Sequence, residues 1–194
     1  MTADELRAAL HAYIKRDDPE TVANEPIALE LARQTLAKSF FPMESEVTVD
    51  PPLVVSSAGL AALPADFGVA VAVGHDFTYV SPRAWQRLIV EAPGNLGGCF
   101  SIYGGYLHVR GSMETLALVY NRVPLPISGA EENWLSQYYA AVWLHAARAE
   151  QYRFIEDIES QASAESLWRG MVDELIAKDL RIKQAGGSLR MRSR

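Results

Sequence analysis

One cysteine, Cys99, stands in 194 residues, which excludes an intrachain disulfide and any thiolate metal cluster built by a single chain. The role left to it is that of a small buried hydrophobe in a strand. No stretch approaches the roughly 20 consecutive apolar residues of a membrane-spanning helix, and Met1-Thr2-Ala3-Asp4-Glu5 is acidic where a secretory signal is basic. A soluble chain, intracellular when made and with no membrane partner, is therefore expected. Histidines are few, and His11, His75, His108 and His145 stand apart. None has a partner at the i+2 or i+4 spacing that would bring two imidazoles to one metal, so each reads as a surface or hydrogen-bonded core residue and no metal site is expected.

Signals for catalysis are equally scarce. Nothing matches a nucleophile elbow, and no histidine lies near Cys99 in sequence to activate it. The run Gly94-Asn95-Leu96-Gly97-Gly98 lacks both the entering strand and the Lys-Ser or Lys-Thr of a phosphate loop, and reads as a turn or surface loop. The acid pair Glu131-Glu132 fits the first turn of a helix, where the dipole favours negative charge, and Asp173-Glu174 fits a solvated helix face. Trp134, Tyr138, Tyr139 and Trp143 could be drawn as a stacking platform for bases, but their helical spacing favours core packing. No catalytic residue and no cofactor are assigned, and an enzyme is the least supported class.

What is present is a core-forming composition, 49% hydrophobic, with periodicity that changes along the chain. Thr2 and Glu5 have capping-box spacing, and Leu6, Ala9, Leu10, Tyr13 and Ile14 recur at helical intervals, predicting a helix from about Ala3 to Arg16. After Asp17-Asp18-Pro19, Pro26 is suited to a first helical residue, and a second helix is expected from there to about Lys38. Between about Glu44 and Val123 the period becomes two, with β-type runs over 47–55, 69–80, 100–109 and 114–122 and a hairpin turn at Gly104-Gly105. Ser81-Pro82 predicts one short helix within this stretch. Helical spacing returns after Ser128, which makes a capping box with Glu131, and a last helix follows a break in the polar run 156–163. The fold class expected is α+β: a four-helix bundle with a β-rich insertion between the second and third main helices and an extended C-terminal arm. Residues 1–43 and 124–185 form the bundle in this reading, 44–123 the insertion and 186–194 the arm.

Charge sets the arm apart. From Lys178 onward six basic residues face one acid, a net of +5, which leaves −11 on residues 1–177 of a chain whose total is −6. A body this acidic repels phosphate, while a tail of opposite sign can seek an acidic surface. Chain ends are usually solvated, but Leu189 and Met191 alternate with Arg190 and Arg192 after Gly186-Gly187. That alternation suits an extended segment that fills pockets or adds to a sheet edge.

Taken in order, Leu63-Pro64-Ala65-Asp66-Phe67, Tyr79-Val80-Ser81-Pro82, Leu118-Val119-Tyr120 and Asn133-Trp134-Leu135 resemble the head-to-tail adaptor (connector) proteins of tailed bacteriophages. The ending adds to the resemblance: a Tyr-rich helix with Tyr138-Tyr139-Ala140-Ala141, an acidic break, a last helix carrying Trp168, then Gly-Gly-Ser-Leu-Arg-Met-Arg over 186–192. The resemblance implies a structural virion protein, located in the neck between capsid and tail and assembled in the host cytoplasm. It implies a dodecameric ring under the portal protein, with a tail or nozzle protein attached below and double-stranded DNA passing through without sequence-specific binding. Gly186, Gly187, Leu189, Arg190, Met191 and Arg192 would be the portal-binding arm. Two other readings compete: a DNA-contacting accessory protein that uses the basic tail, which predicts salt-dependent DNA binding, and a ligand-binding or enzymatic α+β domain, which predicts saturable stabilisation by a small molecule.

Overall fold

The computed structural model describes residues 1–74, 77–91, 98–110 and 113–186, with side chains as far as Ile182. The fold is mixed α+β, with six α-helices and several sheets among the described residues. It divides into two compact units, one formed by Met1–Glu44 with the chain from Pro124 onward, the other by Ser45–Val123.

The helical unit begins with α1, Ala3–Ile14, under the expected capping box: Glu5 N–H donates to Thr2 Oγ1 at 3.2 Å and Thr2 N–H donates to Glu5 Oε2 at 3.0 Å. Lys15, left-handed at φ 56°, ends it. Helix α2 is Pro19–Ser39, so the expected start at Pro26 is corrected. Asp18 is the cap, accepting from Thr21 N–H at 2.9 Å, and Pro19 is the proline suited to the first turn. Pro26 sits inside the helix although a proline there removes a backbone bond. Packing outweighs that loss, because Thr21, Glu25, Ala28, Leu29, Ala32 and Leu36 are all buried.

The expected helix start at Ser128 is also corrected. Ser128 and Glu131 do bond, with the Glu131 carboxylate accepting from Ser128 N–H at 2.9 Å, but they close a turn at Gly129, φ 56°. Glu131-Glu132 therefore precede the helix rather than forming its first turn. The working box is Asn133 with Ser136, which opens α4, Trp134–Tyr138. Tyr139 then leaves helical geometry, at φ −133°, before α5, Ala140–Phe154, and this break turns Tyr138 outward instead of into the core. A reversal through Glu156, φ 59°, leads to α6, Ile158–Gly186.

Helix α5 packs against α1, α2 and α6, and α1 packs against α2. Their shared core contains Leu6, Leu10, Leu36, Leu135, Trp143 and Trp168, each large side chain contributing about 1.5–3 kcal/mol by burial. Three hydrogen bonds fix α2 on α5: Trp143 Nε1–H donates to Leu29 O at 2.8 Å, and Gln151, fully buried, donates to Thr21 O at 2.9 Å while accepting from Asn24 at 3.0 Å. Those pairings remove the penalty of burying an amide or an indole N–H without a partner.

The second unit holds β1 (Glu46–Thr48), β2 (Leu53–Val54), β3 (Leu60–Ala62), β4 (Phe67–Val73), β5 (Thr78–Tyr79), α3 (Pro82–Glu91), β6 (Cys99–Tyr103), β7 (Tyr106–Val109), β8 (Thr115–Leu116) and β9 (Leu118–Arg122). They form sheets ordered β1-β9-β4, β2-β8 and β3-β7-β6-β5, antiparallel except for β5 with β6. The β6–β7 hairpin turns where expected, with Gly104 at φ 60° and Gly105 at φ 79° between the paired Tyr103 and Tyr106. Two successive positive φ values are what a tight two-residue hairpin loop requires. Helix α3 starts after Ser81, whose Oγ accepts from Ala84 N–H at 3.4 Å. Cys99 opens β6 and is half-buried rather than fully buried. The Gly94–Gly97 part of the expected loop and His75 lie outside the described residues.

Candidate interaction surface at the end of the last helix

Helix α6 carries Ala164, Trp168 and Val172 into the core and Met171 and Leu175 at its margin. Past Leu175 the apolar residues continue while the cover does not: Leu180 is 54% and Ile182 46% exposed. A groove of about 460 Å³ opens beside this end of the helix. Its apolar wall comes from Met43, Tyr138, Tyr139, Met171, Leu175 and Ile182. At its polar edge stand the carboxylates of Glu44 and Asp179 and the ammonium of Lys178.

Hydrogen bonds hold this wall in place. Met43 N–H donates to Asp179 Oδ2 at 2.8 Å, tying the end of the first chain segment to α6. The Tyr139 hydroxyl donates to the Glu44 carboxylate. Burial, followed by that bond and the charges of Glu44 and Asp179, pushes the phenol above its ordinary range, so it stays a donor throughout the neutral region. The Tyr139 ring meets Phe40 edge-on at 5.1 Å and Trp134 at 6.3 Å. Pre-set apolar walls with a few charged groups suit docking of a chain segment.

A second charged cluster joins α1 to α2. Glu25 is 2% exposed and bonded to Arg7 Nε at 3.2 Å and to His11 Nδ1 at 2.7 Å, and the other ring nitrogen of His11 lies 3.2 Å from Asp17. The bond to Glu25 comes first among the causes that raise the His11 pKa. On α5, His145 moves the opposite way, through burial and then the neighbouring Arg148. For His11 the folded state holds the proton more tightly, so its stabilisation is complete below the unfolded value near 6.5 and fades as pH rises through the higher folded value. His145 is the reverse: the unfolded chain binds the extra proton below about 6.5, so stability grows with pH in that range. We expect the denaturant midpoint to peak near pH 6.5, and His11→Asn to flatten the decline on the alkaline side only. Midpoints measured in urea from pH 5 to 8 check this, and an unchanged alkaline limb in the variant would contradict it.

Of the residues expected to form a portal-binding arm, Gly186 is the last residue of α6, and Gly187, Leu189, Arg190, Met191 and Arg192 lie outside the described residues. The groove beside the end of α6 was not legible in advance. Met43, Glu44, Tyr139 and Asp179 come from distant parts of the chain, and only the run of apolar residues past Leu175 on the last helix hinted at an uncovered end. Among the described residues, no group of three or more His, Cys, Asp or Glu side chains is placed to hold a metal, and no helix is long and apolar enough to cross a membrane.

Two of the motifs that carry the resemblance meet in space. Asp66 Oδ1 accepts from the Tyr120 hydroxyl at 2.7 Å, Phe67 stacks on the Tyr120 ring at 5.6 Å, and Asp66 O accepts from Val123 N–H at 2.7 Å. Burial first and the Asp66 bond second push the Tyr120 phenol up to about 12. These contacts pin the two motifs to each other. A third motif, at Asn133, caps α4 and also donates to Leu125 O at 2.6 Å, fixing the segment that leads from Pro124 into the helices.

Comparison with curated proteins finds no match to this chain. The family model described as SU10 adaptor protein matches residues 1–193. The chain belongs to the SU10 adaptor protein family and is a phage adaptor, a component of the virion.

Proposed function

We propose that the chain is a head-to-tail adaptor that assembles as a dodecameric ring under the portal protein, continues the DNA channel and offers the tail or nozzle protein its attachment surface. The observation that carries this reading is the family match, which runs through both units and the arm, residues 1–193. In this reading α1, α2, α5 and α6 are the four helices of a ring-building bundle formed by residues 1–43 and 124–185. Residues 44–123 are its insertion, and Gly186 to Arg192 reach into the portal. The packing of α5 on α1, α2 and α6 is compatible with such a bundle. The −11 carried by residues 1–177 supports a channel wall that repels the phosphate backbone, so that DNA slides rather than sticks. The role is structural, and no catalytic step is assigned to any residue.

Electron microscopy of the purified chain mixed with portal rings tests the proposal. We expect an added collar with twelve-fold symmetry. A chain that leaves the portal bare and instead binds DNA in a salt-dependent way would overturn the adaptor ring in favour of the DNA-contacting reading.

A further inference from the structure

We propose that, before a portal is met, residues 187–192 fold back along α6 and occupy the groove of their own chain. This rests on the reading of these residues as an arm, and it assigns that arm a resting place.

Three observations point to this occupant. The first is position: α6 ends at Gly186, and the groove begins at Ile182, about one helical turn away. The second is reach. From Gly186 back to Leu175 the helix rises about 17 Å, and six extended residues span about 20 Å. A reversal of direction just after a helix requires a residue at ease in the left-handed region, and Gly187 follows Gly186 directly. The third is chemical match. In an extended segment successive side chains alternate in direction, so Leu189 and Met191 turn together toward the apolar wall of Leu175 and Ile182. Arg190 and Arg192 turn to the rim, where Glu44 and Asp179 place two negative charges against the single positive charge of Lys178.

The consequence is a protected arm. Apolar residues alternating with arginines, left extended, are ready to pair with any open edge or pocket. Seated in cis they are unavailable until a portal site competes for them, and the effective concentration of a tethered segment keeps the groove occupied even if its intrinsic affinity is weak. Release then exposes Ile182 together with the rest of the vacated groove.

The test uses the full chain without portal. Cys99→Ser frees the thiol position, Ser193→Cys carries a nitroxide just beyond the segment, and methyl signals of Met171, Leu175 and Val142 are observed by nuclear magnetic resonance. The isotope-labelled, nitroxide-bearing chain is diluted into an excess of unlabelled chain carrying neither. We expect loss of these groove signals, and their recovery on Arg190→Glu with Arg192→Glu. Three outcomes would overturn the proposal: groove signals unaffected by the nitroxide, quenching that appears only when nitroxide and isotope sit on different chains, or quenching that survives the charge reversal. The first leaves the groove empty, the second gives it to a second copy, and the third removes the charge match. None of these results depends on portal attachment, which the deletion discussed below tests separately.

Discussion

Trp143→Ala is expected to lower the stability of the helical unit by about 3–5 kcal/mol, a large part of the roughly 5–15 kcal/mol that holds an ordinary domain together. The indole is 3% exposed and lies among α1, α2 and α5 residues of one continuous core. Its Nε1–H spans from α5 to Leu29 O on α2 at 2.8 Å. Truncation removes the buried ring, leaves a cavity that neighbouring helices cannot fully close, and cuts one of the few polar links between α2 and α5. Trp143→Phe separates these effects, because it keeps most of the apolar volume and loses the hydrogen bond, for about 1 kcal/mol from the bond alone. Urea unfolding followed by helical ellipticity reads the difference, since all helices except α3 belong to this unit. A loss below about 1 kcal/mol for the alanine variant would mean that Trp143 is not a keystone of this packing.

Deleting residues 186–194 is expected to abolish attachment to the portal while leaving the fold intact. The fold should survive because the described core residues end at Val172, with Met171 and Leu175 at its edge, well before the deletion. On the proposed reading attachment should vanish, because a ring would engage its portal through many copies of one short arm. Removing every arm would then remove not one weak contact but a whole multivalent set, whose avidity would exceed that of any single arm by orders of magnitude. Sedimentation of the truncated chain with portal rings, beside the intact chain, gives the answer, and attachment at the intact level would end the arm hypothesis. Arg190→Ala with Arg192→Ala then tests the charges against the apolar pair. If the arginines matter, binding weakens and loses salt dependence; if it does not weaken, Leu189 and Met191 carry the contact.

Where sequence reading worked, a local rule sufficed. The Thr2 and Glu5 box, the Gly104-Gly105 turn and the Ser81-Pro82 start each depend on residues within four positions of one another, so the spacing already contains the geometry. Where it failed, a local rule met a distant partner. Pro26 looked like a helix start because proline disrupts helix interiors, yet the buried face of α2 against α5 keeps the helix continuous through it. Ser128 and Glu131 formed their side-chain bond without a helix behind it, since Asn133 with Ser136 capped the segment that packs. Leu60-Ala61-Ala62 has little strand character of its own and became β3 by pairing with β7. Gly59 shows how close that approach is, because a Cβ there would lie 2.3 Å from Val109 O.

Read in order, the chain already carries the marks of its class: an α+β pattern, an acidic body, a basic apolar-striped ending and a motif order that resembles phage adaptors. Composition, period and charge are properties of the chain read in order, and they survive any arrangement of the elements. Packing alone settles which motif residues pin one another, as Asp66 and Tyr120 do, and that Met43, Glu44, Tyr139 and Asp179 converge on a groove beside the end of α6. Those groupings join residues up to 136 positions apart, and such long-range contacts arise from packing of whole faces, which no local spacing encodes.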